Sequence, residues 1–334
     1  MAWLIAGLLA LSATAVAGCG SDDRSSASGG SGGEIALVAY STPQQAYEDG
    51  VIPGFQETPA GEGVEFSTSF GASGDQRRAV ESGLPADVVA FSLEPDMTKT
   101  VEAGLVAENW NADAHKGMVT DSVVVLSVRP GNPKGIEGWN DLVRDDVDII
   151  TPNPATSGGA KWNIMAAYGS QIEQGRSEQE ALDFVKQVLA NTSVQDDSAR
   201  DSLQTFAGGK GDVLIGYENE AIQAQDEDIE LELVIPDETI LIENPIAATT
   251  DGGEAAQRFV DYTRTEDAQQ LFADRGYRPV VKSVLEANRD KFPEPSALFT
   301  IERFGGWDKV ETDFFDEENG SIFEIQRELG NPTE

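Results

Sequence analysis

The amino-acid sequence predicts an α/β fold built around parallel strands. Two observations lead to this class: short apolar runs alternate with helical patterns, and many of the runs end in turns containing glycine or serine. Residues 35–40 (IALVAY) lead into residues 41–43 (STP), and residues 64–69 lead into residues 70–76 (FGASGDQ). In such folds ligands bind beyond the carboxyl ends of the strands, where these turns gather.

The remaining elements continue the alternation. A hydroxyl followed by proline at residues 41–43 starts a helix, and Ser177 with Glu180 has the spacing of a capping box. Residues 254–272 predict one long amphipathic helix, which Gly276 closes. Strands are also expected at 87–91, 122–128, 147–150, 212–217, 231–235 and 239–242, helices from 139, 157, 177, 198 and 218, and a polar turn at 194–200.

The N-terminus predicts export. Residues 1–18 carry no charged side chain and end in small residues before Cys19, the only cysteine of the chain. This resembles a bacterial lipoprotein signal peptide, after which Cys19 is the lipidated first residue, although the usual positively charged n-region is missing. The alternative is an uncleaved anchor helix or a signal peptide with a chance cysteine. Because a lone cysteine cannot form a disulfide framework, lipidation is favoured, and residues 19–33 are expected to be a flexible tether.

The composition limits the class of partner. The formal net charge is −36, with 59 acidic residues against 23 lysines and arginines. So acidic a chain argues against nucleic acid and against anionic membranes as partners. It also repels small anions at long range, but salt screens that repulsion within a few ångströms, which leaves the local site to decide.

Residues 153–163 (NPATSGGAKWN) are the stretch most suggestive of a binding site. Prolines end the preceding strand, and Ser157, Gly158 and Gly159 open a helix. A helix start presents unpaired backbone N–H groups and the positive end of the helix dipole, and glycines let an anion approach the main chain closely. On this stretch alone, a helix cap with a flexible entry explains the residues equally well.

The whole motif resembles the signature of the bacterial sulfate- and thiosulfate-binding proteins of ABC importers. Four further segments match that family in the expected order, from residue 34 to about residue 326: GASGDQ at 71–76, DVLIGYENEA at 212–221, YRP at 277–279 and FGGW at 304–307.

This resemblance implies a two-lobed type II periplasmic-binding fold, in which each lobe is a mixed sheet flanked by helices and hinge strands join the lobes. By position, residues 34–121 and 244–334 are expected to form lobe 1, and residues 122–243 lobe 2. The resemblance also implies a monomeric receptor that hands its ligand to the permease subunits of an ABC transporter.

In this family sulfate is held without a cationic side chain, by backbone N–H groups, a serine hydroxyl and an indole N–H. By position, Ser157 supplies the hydroxyl, and Tyr217 stands where the family has its tryptophan. The backbone donors implied by the resemblance are those of Ser41, Ser73, Gly158, Gly159 and Ala199.

Four departures from the family pattern bear on affinity. Tyr217 both donates and accepts a hydrogen bond where an indole only donates. Ser41 replaces an aspartate, and Asp75 replaces a lysine, which adds negative charge near the mouth of the site. Ala155 with Lys161 stands where lysine and arginine are usual. Asp75 and Asp197 are the carboxylates close enough in sequence to act as acceptors for a protonated anion.

Other classes of function have less support. The single histidine, His115, lies in a polar run without a nucleophile motif, and no cysteine–histidine cluster suggests a metal. The sequence therefore predicts a non-catalytic, extracytoplasmic binding protein on the outer face of the cell membrane, with sulfate or thiosulfate as ligand and no cofactor or metal. Alternatives are another tetrahedral oxyanion (molybdate, tungstate or phosphate), an enzyme, or an envelope scaffold.

Overall fold

The computed structural model describes residues 33–333. Within them, eight strands form one hydrogen-bonded path in the order β2-β1-β3-β9-β4-β7-β5-β6, and β8, β10 and β11 pair alongside it. The strands are β1 (Glu34–Tyr40), β2 (Glu65–Gly71), β3 (Val88–Ala90), β4 (Met118–Val128), β5 (Ile149–Pro152), β6 (Thr192–Asp196), β7 (Val213–Tyr217), β8 (Glu232–Val234), β9 (Glu238–Ala248), β10 (Arg278–Pro279) and β11 (Ala297–Phe299).

The predicted α/β class is confirmed by how these strands pair. β1 is parallel to β2 and β3 at one end of the path, and β5 is parallel to β6 and β7 at the other. The long strands β4 and β9 join the two ends, since they pair antiparallel with each other, β9 with β3 and β4 with β7. Two α/β halves bridged by a pair of long strands is the architecture expected of two lobes with hinge strands.

The helices fill the connections between strands. A π-helical turn (Tyr47–Val51) joins α1 to α2, and short 3₁₀ helices cover Trp139–Val143 and Ile301–Phe304. The α-helices are α1 (Gln44–Ala46), α2 (Ile52–Gln56), α3 (Ser73–Glu81), α4 (Glu94–Glu102), α5 (Gly158–Glu173), α6 (Glu178–Ala190), α7 (Ala199–Ala207), α8 (Glu218–Asp226), α9 (Gly253–Thr263), α10 (Glu266–Asp274), α11 (Lys282–Ala287), α12 (Gly306–Phe314) and α13 (Ser321–Leu329).

Three expectations about local structure were wrong. The single helix at 254–272 is two helices, because the Thr265 side chain caps α10 by accepting the N–H of Ala268. The polar turn at 194–200 begins as the last part of β6, the end strand of the path, whose half-exposed residues lack an apolar run. The strand expected to end at residue 242 runs through Pro245, where the register with β4 shifts.

Two large hydrophobic clusters form the cores of the two halves. One includes β1, α2 and α9 around Phe55 and Phe259. The other surrounds α5 and α6 and takes in the C-terminal helices α12 and α13. Trp162 of α5 meets Trp307 of α12 edge to face, with ring centroids 4.7 Å apart. Residues 297–329 thus share their core with α5 and α6, while the division into lobes by residue range stays a prediction.

Candidate functional site

The site lies where several helices and turns begin after strands. Each of them starts at the carboxyl end of a strand that has a parallel neighbour in the sheet. They are the loop after β1, α3 after β2, α5 after β5, α7 after β6 and α8 after β7. This topology gathers helix N-termini from both halves of the molecule at one place. Each such terminus presents backbone N–H groups without an intrahelical partner.

These starts enclose a small cavity of about 10 Å³. Six of the seven residues predicted to bind the ligand line it, and Gly158 lines a neighbouring groove of about 780 Å³ instead. A volume of this size holds about one water molecule, so the cavity is closed tightly in this conformation. Its lining residues are Tyr40, Ser41, Thr42, Ala72, Ser73, Ser92, Ser157, Gly159, Ser198, Ala199 and Tyr217.

The first turn of α5 packs tightly against its surroundings. A Cβ atom added at Gly159 would lie 3.3 Å from Ser157 Oγ, and 3.5 Å from both Ala199 Cβ and Tyr217 Cε1. One added at Gly158 would lie 2.0 Å from the Oγ atom of Ser92, well inside van der Waals contact. Gly158 therefore leaves no room for a Cβ atom without a shift of its neighbours, whereas a Cβ atom at Gly159 would make a tight van der Waals contact with the wall of the cavity.

Several residues in or beside the cavity have a backbone N–H group without an acceptor. The N–H of Ser157 donates to the Asn153 carbonyl at 2.9 Å, so this residue offers the cavity only its hydroxyl. The hydroxyl of Ser73 is occupied, since it donates to Asp96 Oδ2 at 2.6 Å and accepts the N–H of Ser92 at 3.0 Å. Among residues 33–333, no acceptor takes the backbone N–H of Ser41, Ser73, Gly158, Gly159 or Ala199.

Three hydroxyl groups add to these donors. The side-chain oxygens of Tyr40, Ser92 and Tyr217 are buried at the cavity and complete no hydrogen bond within the described part of the chain. The sequence reasoning missed Tyr40 and Ser92. The signal for Ser92 was present, because it directly follows the apolar run 87–91, as the other site serines follow their strands.

Tyr217 is a neutral phenol at physiological pH. Burial above all, and then the carboxylate of Glu220, raise the pKa of Tyr217 well above its ordinary value, although interactions with the side chains of Ser92 and Asn244 lower it. The ring lies against Gly159 of α5. A protonated phenol in this place can donate a hydrogen bond where an indole N–H was expected.

No charged side chain of the described residues lines the cavity. Arg200 lies next to it, but its Nη2 atom donates to the Thr42 carbonyl at 3.2 Å and to Gln223 Oε1 at 3.4 Å. Behind Thr42, burial raises the pKa of Glu220 to about 7, while Arg200 and a hydrogen bond with the Thr42 side chain lower it. Arg200 and Glu220 thus lie next to residues that line the cavity, but neither of their side chains lines it.

The two carboxylates that the sequence placed near the site do not reach it. Asp75 is exposed and pairs with Arg78 on the same helix, which offsets the negative charge expected at the mouth. Asp197 is exposed as well. Its backbone carbonyl, and not its carboxylate, accepts a hydrogen bond from the Thr156 hydroxyl at 2.7 Å. Neither of these carboxylates lines the cavity.

Contacts between the two halves close the cavity. The N–H of Gly74 at the start of α3 donates to the Thr156 carbonyl before α5, at 3.0 Å. Trp162 Nε1 of α5 donates to the Ser92 carbonyl at 2.7 Å. Closer to the surface, the Lys99 ammonium of α4 lies 3.4 Å from a carboxylate oxygen of Glu311 on α12. These bonds hold the walls together when the halves are in this arrangement.

Other candidate features do not contribute to this site. His115 lies in the loop before β4 and does not line the cavity. In residues 33–333 there is no cluster of histidine, cysteine and carboxylate side chains suited to a metal ion. Across the same residues, every helix is too short or too polar to span a bilayer. Cys19 and the expected signal peptide and tether lie outside the described residues, apart from Gly33.

Comparison with known proteins identifies the relatives of the chain. Residues 35–278 match the family model described as "Bacterial extracellular solute-binding protein". A sulfate-binding protein of Synechococcus elongatus is 40% identical over 313 residues, which cover 90% of this chain and 89% of that protein. A thiosulfate-binding protein of Escherichia coli is 35% identical over 75% of this chain and 78% of its own length.

Solved structures agree with this assignment. The sulfate-binding protein SubI from Mycobacterium tuberculosis superposes with a TM-score of 0.82 at 43% identity, over 85% of this chain and 99% of that one. A periplasmic thiamin-binding protein shares the fold with a TM-score of 0.66 at 17% identity, over 89% of this chain and 96% of that one. The predicted two-lobed type II fold is confirmed, and these similar proteins are named for binding, not for a reaction. The chain belongs to the bacterial extracellular solute-binding proteins and, among them, to the family of sulfate- and thiosulfate-binding proteins.

Proposed function

We propose that this protein is an extracytoplasmic receptor that binds sulfate, or thiosulfate, in the cavity between its two halves. The observation that carries the proposal is that four residues whose backbone N–H groups lack an acceptor, Ser41, Ser73, Gly159 and Ala199, line one cavity without a charged side chain, while Gly158 at the start of α5 lies directly beside it. Buried N–H groups without an acceptor are rare in folded proteins. An anion with several oxygens supplies the acceptors that these groups lack.

The energetics permit such a site without a salt bridge. Hydrogen bonds to a charged group contribute roughly 1.5–3 kcal/mol each, and helix N-termini add a favourable dipole. Five backbone donors with the Ser157 hydroxyl offset desolvation of the anion and closure of the halves, leaving about 8 kcal/mol, which corresponds to micromolar affinity. A cation in the cavity is not required.

The lining favours a fully deprotonated anion. Sulfate carries no proton at neutral pH, so donors alone satisfy it, whereas monohydrogen phosphate also needs an acceptor for its own hydroxyl. No carboxylate of the described chain lines the cavity to accept that proton. Relatives named for sulfate and for thiosulfate both match, so these two anions are the proposed ligands, ahead of molybdate and phosphate.

The proposed role is delivery of the anion to an ABC permease, without catalysis. Membership of the solute-binding family supports this role. The lipoprotein-like segment ending at Cys19 supports attachment to the outer face of the membrane by a lipid on that cysteine. Closure of the halves around the anion presents a distinct liganded surface to the permease.

Calorimetry with sulfate, thiosulfate, molybdate and phosphate at fixed ionic strength tests the proposal. We expect saturable binding of sulfate or thiosulfate at micromolar or lower concentration and weaker binding of phosphate. The absence of binding to all four anions contradicts the proposal and supports an envelope scaffold. Turnover of a sulfate or phosphate ester by the purified protein supports an enzyme instead.

A further inference from the structure

Ser92 is a cavity residue that neither the motifs nor the comparisons assign to the ligand. It follows β3 directly, and only 1% of its surface is exposed. Its hydroxyl completes no hydrogen bond with the described residues, although it borders the cavity. A buried hydroxyl without a partner is unfavourable, so its retention calls for an explanation.

The backbone of Ser92 is fixed on both sides. Its N–H donates to the Ser73 hydroxyl at 3.0 Å. Its carbonyl accepts two hydrogen bonds, from Trp162 Nε1 at 2.7 Å and from Asn244 Nδ2 at 2.9 Å. Donors from α5 and β9 therefore hold this peptide group in place, and the side chain is not required for any of these bonds.

The hydroxyl itself is directed at the start of α5. A Cβ atom on Gly158 would lie 2.0 Å from Ser92 Oγ, so the hydroxyl lies against the first residue of that helix. Both N–H groups of the first turn, on Gly158 and Gly159, lack an acceptor in the described chain. An anion that accepts these N–H groups comes within reach of the Ser92 hydroxyl.

We propose that Ser92 is a direct ligand residue, whose hydroxyl donates a hydrogen bond to the oxyanion at the start of α5. This inference rests on the proposed function and extends it by one donor. Tyr217 lines the same cavity, and its hydroxyl, like that of Ser92, is buried and completes no hydrogen bond with the described residues. Together they supply neutral donors from the walls opposite the α5 helix start.

The test compares sulfate affinity of the full chain with that of Ser92→Ala and Ser92→Cys. Alanine removes the donor, and cysteine fills its space with a weak donor. We expect both variants to bind sulfate at least about tenfold more weakly, the effect of losing a hydrogen bond to a charged group. Without sulfate, their melting temperatures should be unchanged or raised, because the lost hydroxyl has no partner in the protein.

Ser170→Ala is the matched control. Ser170 is fully buried on α5, but its hydroxyl donates to the Ala167 carbonyl at 2.8 Å, outside the cavity. We expect its sulfate affinity to stay within about twofold of the original chain, because the loss of a local hydrogen bond affects stability more than binding.

Each outcome decides the matter. Unchanged affinity of Ser92→Ala, while the original chain binds sulfate, overturns the assignment of Ser92 and leaves the proposed function intact. Full affinity in Ser92→Cys with loss in Ser92→Ala points to packing and also overturns it. If the original chain binds no sulfate or thiosulfate, the proposed function and this inference both fail.

Discussion

The molecule buries polar groups in two different ways at the junction of its halves. The cavity is lined by residues whose backbone N–H groups or hydroxyls lack a partner among the described residues, and no charged side chain of those residues lines it. Glu218 directly follows Tyr217 in the chain and is only 1% exposed. Its carboxylate accepts two hydrogen bonds from the Arg278 guanidinium, from Nε at 2.7 Å and from Nη2 at 2.9 Å. One region is built from neutral dipoles, and the other from opposite charges.

The two regions differ because one holds a permanent negative charge and the other is proposed to hold a negative charge only while an anion is bound. Glu218 is a permanent part of the chain, and a permanent buried charge requires a permanent partner. The anion of the proposed function binds reversibly, and a fixed cation would be left buried and unpaired each time the anion dissociates. Neutral dipoles tolerate both states, because an N–H group at a helix start can donate to water when no anion is bound.

The largest expected effect comes from breaking the charge pair. Arg278→Met leaves Glu218 buried without its cation, and the free energy of unfolding should fall by about 3–5 kcal/mol. Urea denaturation measures this. In the control Arg303→Met, an exposed pair with Glu173 at 2.9 Å is lost, and the change should stay below about 1 kcal/mol. Equal losses in the two variants contradict the view that burial makes the Glu218 pair essential.

Gly158→Ala tests the other region. The added Cβ atom would lie 2.0 Å from Ser92 Oγ and 2.1 Å from Leu93 Cδ2, so the halves cannot close fully on the ligand. We expect sulfate affinity to fall by about ten- to a hundredfold, with little loss of stability in the open form. In the control Gly138→Ala, nothing lies within 4 Å of the added atom, and calorimetry should give unchanged affinity. Normal affinity in Gly158→Ala places the anion away from α5.

A comparison of Ser157 and Ser177, which both precede a helix, distinguishes a serine that binds the ligand from one that caps a helix. Ser177 caps α6, because its hydroxyl accepts the Glu180 N–H, whereas Ser157 occupies the same position before α5 and makes no capping bond. We expect Ser157→Ala to weaken sulfate binding more than tenfold, and Ser177→Ala to lower stability by about 1 kcal/mol without changing affinity. Calorimetry and thermal unfolding of both variants test this double contrast. If Ser157→Ala keeps its affinity, the hydroxyl assignment is wrong.

The sequence predicted the alternation of strands and helices well, because each turn carries its own local signal. The residue pattern could not show that Thr265 ends a helix, since the apolar period continues across it and only the cap bond to Ala268 marks the break. Nor could it show that β9 continues through Pro245, which depends on the shifted pairing with β4.

The candidate site was only partly predictable for a related reason. The motifs pointed to backbone donors at helix starts, which sequence neighbours encode. Ser92 and Tyr40 reach the cavity because distant strands meet there, and their importance depends on hydroxyls left without partners. Likewise, the packing of Trp307 against Trp162 joins residues far apart in the chain, which no local pattern reports.

The smallest expected effect is a pH dependence of sulfate affinity that comes from Glu220, a buried carboxyl close to the cavity. Glu220 lies behind the cavity residue Thr42, and burial raises its pKa from 4.5 to about 7 against the opposing influence of Arg200. Its folded-state pKa is raised, so its contribution to stability is complete below about pH 4.5 and is lost as pH rises through about 7. A bound dianion favours the protonated carboxyl for the same electrostatic reason.

Sulfate affinity should therefore fall by roughly two- to fivefold as pH rises through about 7, although sulfate itself does not titrate there. Calorimetry from pH 5.5 to 8.5 at constant ionic strength measures the slope, and Glu220→Gln should flatten it. Asp121, whose pKa burial raises to about 8, does not line the cavity, so Asp121→Asn should keep the slope. If Glu220→Gln keeps the slope and Asp121→Asn removes it, the charged region, and not the border of the cavity, controls the pH response.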